Sequence, residues 1–513
     1  MPPGEAQASV LPAEPQAGVC LHLSSLPGAC GIGEIGDAAQ RFVDLLDETG
    51  LRVWQFLPLG PTAYGDSPYQ PLSTFAGNEM LIDVAELVAG GFVRDSETTA
   101  LHALPRHTVD YGALIPAKTA VLKLAAGRFD GVADATLKSQ FDSFIDRNDR
   151  AWLHDYALFR ILKTGNGERP WMEWAPEYVH RDETVLRMLD NARAREVREI
   201  KILQFLFDRQ WQALRRYAHE RGVTLFGDMP ICIAFDSADA WANRDILRVD
   251  ADGRPDFVAG VPPDYFCEDG QLWGNPLYDW EKHARNGYAW WVQRLKATAA
   301  AADIVRIDHF RGFEAYWAVP AGAATARVGS WQPGPGDSLF DALRSAVGSL
   351  PIVAEDLGVI TKDVEALRRR HAIPGMHVLQ FDVDIEGFAL TDIEPDSVCY
   401  TGTHDNDTTV GWFRGSPDDL RTPQAIAATQ AATLALTNGT PATIHLDMIR
   451  AAFASPARIA IAPLQDFLGL GSEARTNTPG TSHGNWRWRV TESQLGTTLR
   501  RQVAALVADA RRR

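Results

Sequence analysis

The chain of 513 residues contains no run of 18 apolar residues, so no membrane-spanning helix is expected. Cysteine is scarce: Cys20, Cys30, Cys232, Cys267 and Cys399 are scattered, with no Cys-x-x-Cys pair. That argues against a disulfide framework and against a zinc site, and it fits reduced thiols in a cytoplasm. Positive charge is the minority sign, with 50 bases against 66 acids and a formal net charge of −16. Such a chain is a poor ligand for nucleic acid or an anionic membrane and suits a neutral substrate. Internal repeats and long low-complexity tracts are also missing. The first residues, rich in Pro, Ala and Glu, lack the basic start and apolar core of a secretory signal. Residues 1–17 are therefore expected to form a disordered tail.

What is present is a set of apolar runs that end in acids. Ile304-Val305-Arg306-Ile307-Asp308-His309 is a β-branched run that stops at Arg-x-Asp-His. It predicts a buried strand carrying a carboxylate to the mouth of a site. Arg306, two residues before Asp308, faces the same side of that strand. A guanidinium beside a carboxylate favours its ionised form, which is what a nucleophile requires. Ile352-Val353-Ala354-Glu355 repeats the pattern, and so does Val398-Cys399-Tyr400-Thr401-Gly402-Thr403-His404-Asp405. Glu355 follows Asp308 by 47 residues and Asp405 follows Glu355 by 50. Helix-like stretches lie between them, at Ser338–Leu350 and Thr361–Ala372. Alternating strands and helices predict a parallel sheet, with the three acids gathered at one face. Each acid taken singly also fits a helix N-cap or a surface ion pair; their common context favours one site.

Further strands are predicted at Val19–Leu26, Leu51–Leu59 and Val223–Ile233, and near residues 376 and 457. Eight strands with intervening helices make a (β/α)8 barrel over residues 18–513. Residues 80–200 read as a helical insertion within it. Residues 234–300, rich in Asp, Gly, Pro and aromatics, read as a loop-rich insertion covering the site. Val490–Arg513 reads as a closing helix, and no C-terminal β domain is predicted. Gly31-Ile32-Gly33-Glu34-Ile35-Gly36 matches the dinucleotide fingerprint G-x-G-x-x-G literally. The second strand ends Phe56-Leu57-Pro58-Leu59-Gly60, without the acid that a ribose needs, so the glycines are expected to serve a tight first loop.

The chain resembles the 4-α-glucanotransferases of the amylomaltase (disproportionating enzyme) type. These form glycoside hydrolase family 77, a branch of the α-amylase-like barrel enzymes. Beyond the three acid runs, the resemblance rests on Pro61-Thr62-Ala63-Tyr64-Gly65-Asp66-Ser67-Pro68-Tyr69, Gly227-Asp228-Met229-Pro230 and Gly260-Val261-Pro262-Pro263-Asp264-Tyr265-Phe266. It continues through Gly270-Gln271-Leu272-Trp273-Gly274-Asn275-Pro276-Leu277-Tyr278, Pro463-Leu464-Gln465-Asp466 and Asn477-Thr478-Pro479-Gly480, covering roughly residues 18 to 490.

The resemblance implies a retaining double displacement on α-1,4-glucans, with glucan or glucose as acceptor. Asp308 would be the nucleophile, Glu355 the acid/base, and Asp405 the acid that holds sugar hydroxyls. An apolar strand before Glu355 is expected to raise its pKa. Tyr64, Trp273 and Tyr265 are the aromatic residues expected to meet sugar faces. Asn275 shares the covering loop with Trp273. His309 and His404, beside site acids, are candidate hydroxyl donors, although a lone histidine is more often structural. Asp228 is expected as a hydrogen-bonding or structural acid near the end of the third strand. Asn477 fits either a sugar contact or turn chemistry. No cofactor is implied, and no acid-rich loop has EF-hand spacing. A hydrolase and a non-catalytic glucan-binding barrel are the rival readings.

Overall fold

The computed structural model describes residues 9–263, 268–416, 419, 421–481 and 483–512, with the side chain of Tyr64 outside the description. Eight parallel strands form its central sheet. They are β1 (Gln16–Cys20), β2 (Val53–Gln55), β3 (Thr224–Pro230), β4 (Ile304–Asp308), β5 (Ile352–Ala354), β6 (Gly375–Val378), β7 (Ser397–Tyr400) and β8 (Ile459–Pro463). The order β6-β7-β8-β1-β2-β3-β4-β5 is cyclic. The Ala354 N–H donates to the Pro374 carbonyl at 2.8 Å, joining the two end strands. The sheet is thus a (β/α)8 barrel. Its strands are apolar because both faces are covered: Val19, Val53, Val305, Val353, Val398 and Ile461 are fully buried.

Strand bounds differ from the sequence reading where apolar residues continue past the ladder. β1 starts at Gln16, inside the segment expected as tail, and Leu11 is already buried. A docked apolar side chain orders residues whose composition alone reads as tail. β2 stops at Gln55; the Phe56 N–H still bonds the Phe226 carbonyl of β3 at 2.9 Å before the chain runs into Pro58.

Between β2 and β3 the chain forms helices at Val84–Ala89, Tyr111–Val132, Ala135–Asn148, His154–Gly165 and Glu183–Ala192. The long helix Ala194–Glu220 then packs back on the barrel and leads into β3. Between β3 and β4 lie two strands, Phe257–Val261 and Gln271–Pro276. They join Ala315–Pro320 and Ser330–Pro333, which follow β4, in a four-stranded antiparallel sheet. This second sheet was not foreseen. Helix Ala289–Ala301 belongs to the barrel wall, so the loop-rich segment expected over 234–300 ends earlier and draws partners from beyond β4.

The glycine run lies in the first loop. The Gly33 N–H bonds the Ser24 carbonyl at 3.0 Å, and a Cβ on Gly33 would stand 1.9 Å from the Leu23 oxygen. A Cβ on Gly36, which precedes helix Asp37–Thr49, would meet the Asp83 carboxylate at 1.8 Å. These glycines allow backbone to pass against backbone. Gly33→Ala is expected to lower stability by about 1–3 kcal/mol or more, as overpacking against rigid backbone does. Urea unfolding checks this; an unchanged midpoint would show that the loop has room to yield.

Candidate active site

The barrel places its chemistry at the carboxyl ends of the strands. Asp308 is the last residue of β4, and Glu355 follows β5 directly. Asp405 lies in the turn after β7. Asp228 and Arg306 are direct neighbours on β3 and β4. Both are buried, with Asp228 5% and Arg306 4% exposed. Arg306 Nη1 donates to Asp228 Oδ2 at 2.6 Å, and Nη2 donates to Asp308 Oδ1 at 2.9 Å. Burial works against the guanidinium charge, but Asp228 and Asp308 more than offset it and push its pKa well above the usual range.

Both oxygens of Glu355 are held by backbone donors. His309 N–H reaches Oε2 at 2.7 Å, and Leu357 N–H reaches Oε1 at 2.9 Å. His309 adopts a left-handed conformation, φ +56° and ψ +49°, costly for a side-chain-bearing residue, and this turn presents its N–H to Glu355. Burial pushes the Glu355 carboxyl up to about 7; Arg306 opposes the shift, and the nearby Asp308 adds to it. Burial also lowers the His309 ring to about 4, against the pull of Asp308, so the imidazole is neutral at neutral pH.

Asp405 is oriented from the segment after β8. Asn477 Nδ2 donates to its Oδ1 at 2.6 Å, and Arg475 Nη2 donates to its backbone carbonyl at 2.6 Å. Arg475 Nε also donates to the Asn477 carbonyl at 2.7 Å. The Asn477 amide is therefore engaged with the acid. His404 Nε2 lies 3.4 Å from Asp405 Oδ1, and its ring stacks on Tyr69 with centroids 5.0 Å apart.

The covering loop contributes Trp273. Its ring meets the His309 ring edge to face at 4.8 Å, and its N–H bonds the Gln271 side chain at 3.1 Å. Asn275 is buried; its amide donates to the Ile233 carbonyl at 2.7 Å, so it braces this loop against the end of β3. Tyr265 and the Tyr64 side chain lie outside the described residues. Among the described residues no cluster of His, Cys, Asp and Glu could hold a metal ion, and no helix is long and apolar enough to cross a membrane.

Three residues not singled out from the sequence complete the site. Tyr69 OH donates to Asp228 Oδ2 at 2.9 Å, sharing that oxygen with Arg306. Trp486 lies against both Tyr69 and His404, with centroids 5.9 and 6.0 Å away. Arg475 holds the Asp405 turn. Tyr69 was legible as the aromatic end of the Asp66-Ser67-Pro68-Tyr69 turn. The other two reach the site only through the chain's return after β8.

A closed parallel barrel with acids at the ends of β4, β5 and β7, the first of them joined to Asp228 of β3 through one buried arginine, defines a (β/α)8 enzyme with carboxyl chemistry. The chain belongs to glycoside hydrolase family 77, described as 4-alpha-glucanotransferase, whose model matches residues 21–495. It is 46% identical to the 4-alpha-glucanotransferase of Thermus thermophilus over 95% of this chain and 98% of that protein. It is 44% identical to the Synechocystis 4-alpha-glucanotransferase over 94% and 95%. Among solved structures, an amylomaltase from Streptococcus agalactiae in complex with acarbose superposes with a TM-score of 0.91 at 33% identity. That match covers 97% of this chain and 100% of the other. The enzyme is accordingly a 4-alpha-glucanotransferase.

Arg306 is the shared partner of two carboxylates, so its removal is expected to cost about 3–5 kcal/mol, as when one member of a buried pair is deleted. Equilibrium unfolding of Arg306→Ala tests this. A loss below about 1 kcal/mol would show that the acids find other partners.

Proposed function

We propose that the enzyme moves a segment of an α-1,4-glucan to the 4-hydroxyl of another glucan, or of glucose, by a retaining double displacement. The observation that carries this reading is the unequal treatment of two neighbouring carboxyls. Asp308 is paired with a permanently charged guanidinium, while Glu355 is half-buried and holds its proton up to about 7. That is the division of labour that glycoside cleavage with retention requires.

In the first step the Asp308 carboxylate attacks the anomeric carbon, and the glycosidic carbon–oxygen bond breaks. Glu355 gives its proton to the departing oxygen. In the second step Glu355, now ionised, takes the proton of an acceptor 4-hydroxyl. That oxygen displaces Asp308 and restores an α-1,4 bond. Asp405, oriented by Asn477, is placed to accept hydrogen bonds from sugar hydroxyls as the ring distorts. Arg306 gives Asp308 a hydrogen-bonded counter-charge, and Tyr69, His404 and His309 shape the walls. Asp228 holds Arg306. The loop carrying Trp273, braced by Asn275, favours a sugar acceptor by excluding water. The acarbose complex of the Streptococcus agalactiae relative supports a sugar chain in this cleft. The described cysteines are free, which supports a reducing, cytoplasmic setting.

Incubation with maltotriose alone, products resolved by length, is expected to give glucose and a ladder of longer maltooligosaccharides. Glucose and maltose only, with reducing ends rising, would make the protein a hydrolase. Asp308→Asn is expected to lose about 10³-fold or more of the transfer rate; wild-type rate in that variant would remove Asp308 from the nucleophile's role.

The acid step needs protonated Glu355, so kcat/KM is expected to fall as pH rises through about 7. A pH profile from 4 to 9 checks the sign. A rate that climbs across neutrality would contradict the assignment.

A further inference from the structure

Arg294 stands on the wall helix Ala289–Ala301 and is 1% exposed. A buried guanidinium is costly unless its donors are met. Here its hydrogen bonds go to neutral acceptors drawn from three segments of the barrel rim. Nη2 donates to the Pro230 carbonyl at 2.5 Å, and Nη1 to the Ile231 carbonyl at 3.0 Å. Nη1 also reaches the Tyr278 hydroxyl at 3.2 Å, and Nε donates to Thr74 Oγ1 at 3.0 Å. The guanidinium packs on Trp291 and Trp290 of its own helix, 5.0 and 5.4 Å from the ring centroids.

Each acceptor belongs to a segment that carries part of the site. Pro230 ends β3 and is the register partner of Asp308 on β4. Ile231 follows it, and its carbonyl takes a second hydrogen bond from the Tyr278 hydroxyl at 2.9 Å. Tyr278 lies two residues after the covering strand Gln271–Pro276, which carries Trp273 and Asn275. Thr74 lies in the loop after β2 that carries Tyr69, and its N–H donates to the buried Asp239 carboxyl at 2.7 Å. The loop after β2 and the covering strand meet again where Gln70 Nε2 donates to Asn275 Oδ1 at 3.4 Å. Arg294 is thus the point where the end of β3, the cover and the Tyr69 loop are joined behind the site. A planar fork of five donors can span three segments at fixed angles, and an ammonium cannot.

We propose that Arg294 is a positioning residue for the acceptor step: it seats the covering strand against the end of β3 and so sets how well water is kept from the glucan–Asp308 intermediate. The proposal rests on the glucan-transfer reading above and deepens it by naming what holds the cover down. Asp308 keeps Arg306 as its own partner, and Glu355 keeps its backbone donors. Bond cleavage therefore depends on Arg294 less than the choice of acceptor does.

The test compares Arg294→Gln, Arg294→Lys, Tyr278→Phe and wild type on maltotriose, following the product ladder and the reducing ends together. Transfer leaves the number of reducing ends unchanged and hydrolysis raises it, so the two rates give the share taken by water. Arg294→Gln is expected to raise the hydrolysis-to-transfer ratio about 10-fold, within the range for a small displacement near the chemistry, while total bond cleavage falls by less. Arg294→Lys keeps the charge without the fork and should move the ratio the same way. Tyr278→Phe removes only the hydroxyl on the cover side and is expected to raise the ratio about 3-fold, the effect of one hydrogen bond. It decides the matter if the Arg294 variants fail to fold. A wild-type ratio in Arg294→Gln or in Tyr278→Phe would overturn the proposal, even with a loss of stability or of both rates together, and would leave Arg294 a structural brace. Failure of the transfer reading itself is separable, because wild type would then give no ladder from maltotriose.

Discussion

The site depends on one buried cation. Arg306 sits inside the barrel with a carboxylate on each side, and Asp228, whose side chain is fully buried, would not be tolerable there alone. Its place is dictated by the parallel register, which sets Asp228 on β3 directly beside it, while the two-residue period of β4 turns Asp308 to the same side. Burial of Asp228 and Arg306 strengthens the electrostatic interaction between them. The arginine therefore serves stability and chemistry through the same two hydrogen bonds. It keeps Asp308 supplied with a permanent counter-charge and leaves Asp228 as the anchor that stops the guanidinium from following Asp308.

The second acid is handled by opposite means. Glu355 has no cation within its hydrogen bonds; its oxygens meet the N–H groups of His309 and Leu357. Those donors favour the ionised form, yet burial outweighs them and the carboxyl keeps its proton up to about 7. Backbone donors also fix direction, because the left-handed turn at His309 follows immediately after Asp308. The residue directly after the Asp308 strand thus aims the Glu355 carboxyl, and the two carboxyls are positioned by a single short stretch of chain.

The barrel and its three acids were legible in the sequence because both follow local rules. Fully buried strands show as short β-branched runs, and an acid that ends such a run stands out against them. What escaped notice depends on contacts between distant segments. The second sheet pairs strands on either side of β4, and its outer strand, Ser-Trp-Gln-Pro, is too short and mixed to announce itself. Arg475 and Trp486 come to the site only because the chain after β8 folds back over the barrel mouth. Asn275 and Asn477 stood in turn-rich motifs, and the sequence could not tell that one amide braces a backbone carbonyl while the other orients an acid.

That second sheet bears on the choice between sugar and water as acceptor. The three acids suffice for either outcome, so the decision lies in what covers them. Here the cover is built from strands before β4 and strands after it, joined edge to edge. It is also pressed onto the turn that follows His309, where the Gly334 backbone packs against Phe313 with no room for a side chain. A cover tied to both flanks of the Asp308 strand cannot shift without disturbing Asp308 and Glu355. Under the proposed transfer reading, water exclusion and carboxyl geometry become one mechanical property of the fold, and a loop-rich segment remote in sequence from the acids takes part in the chemistry.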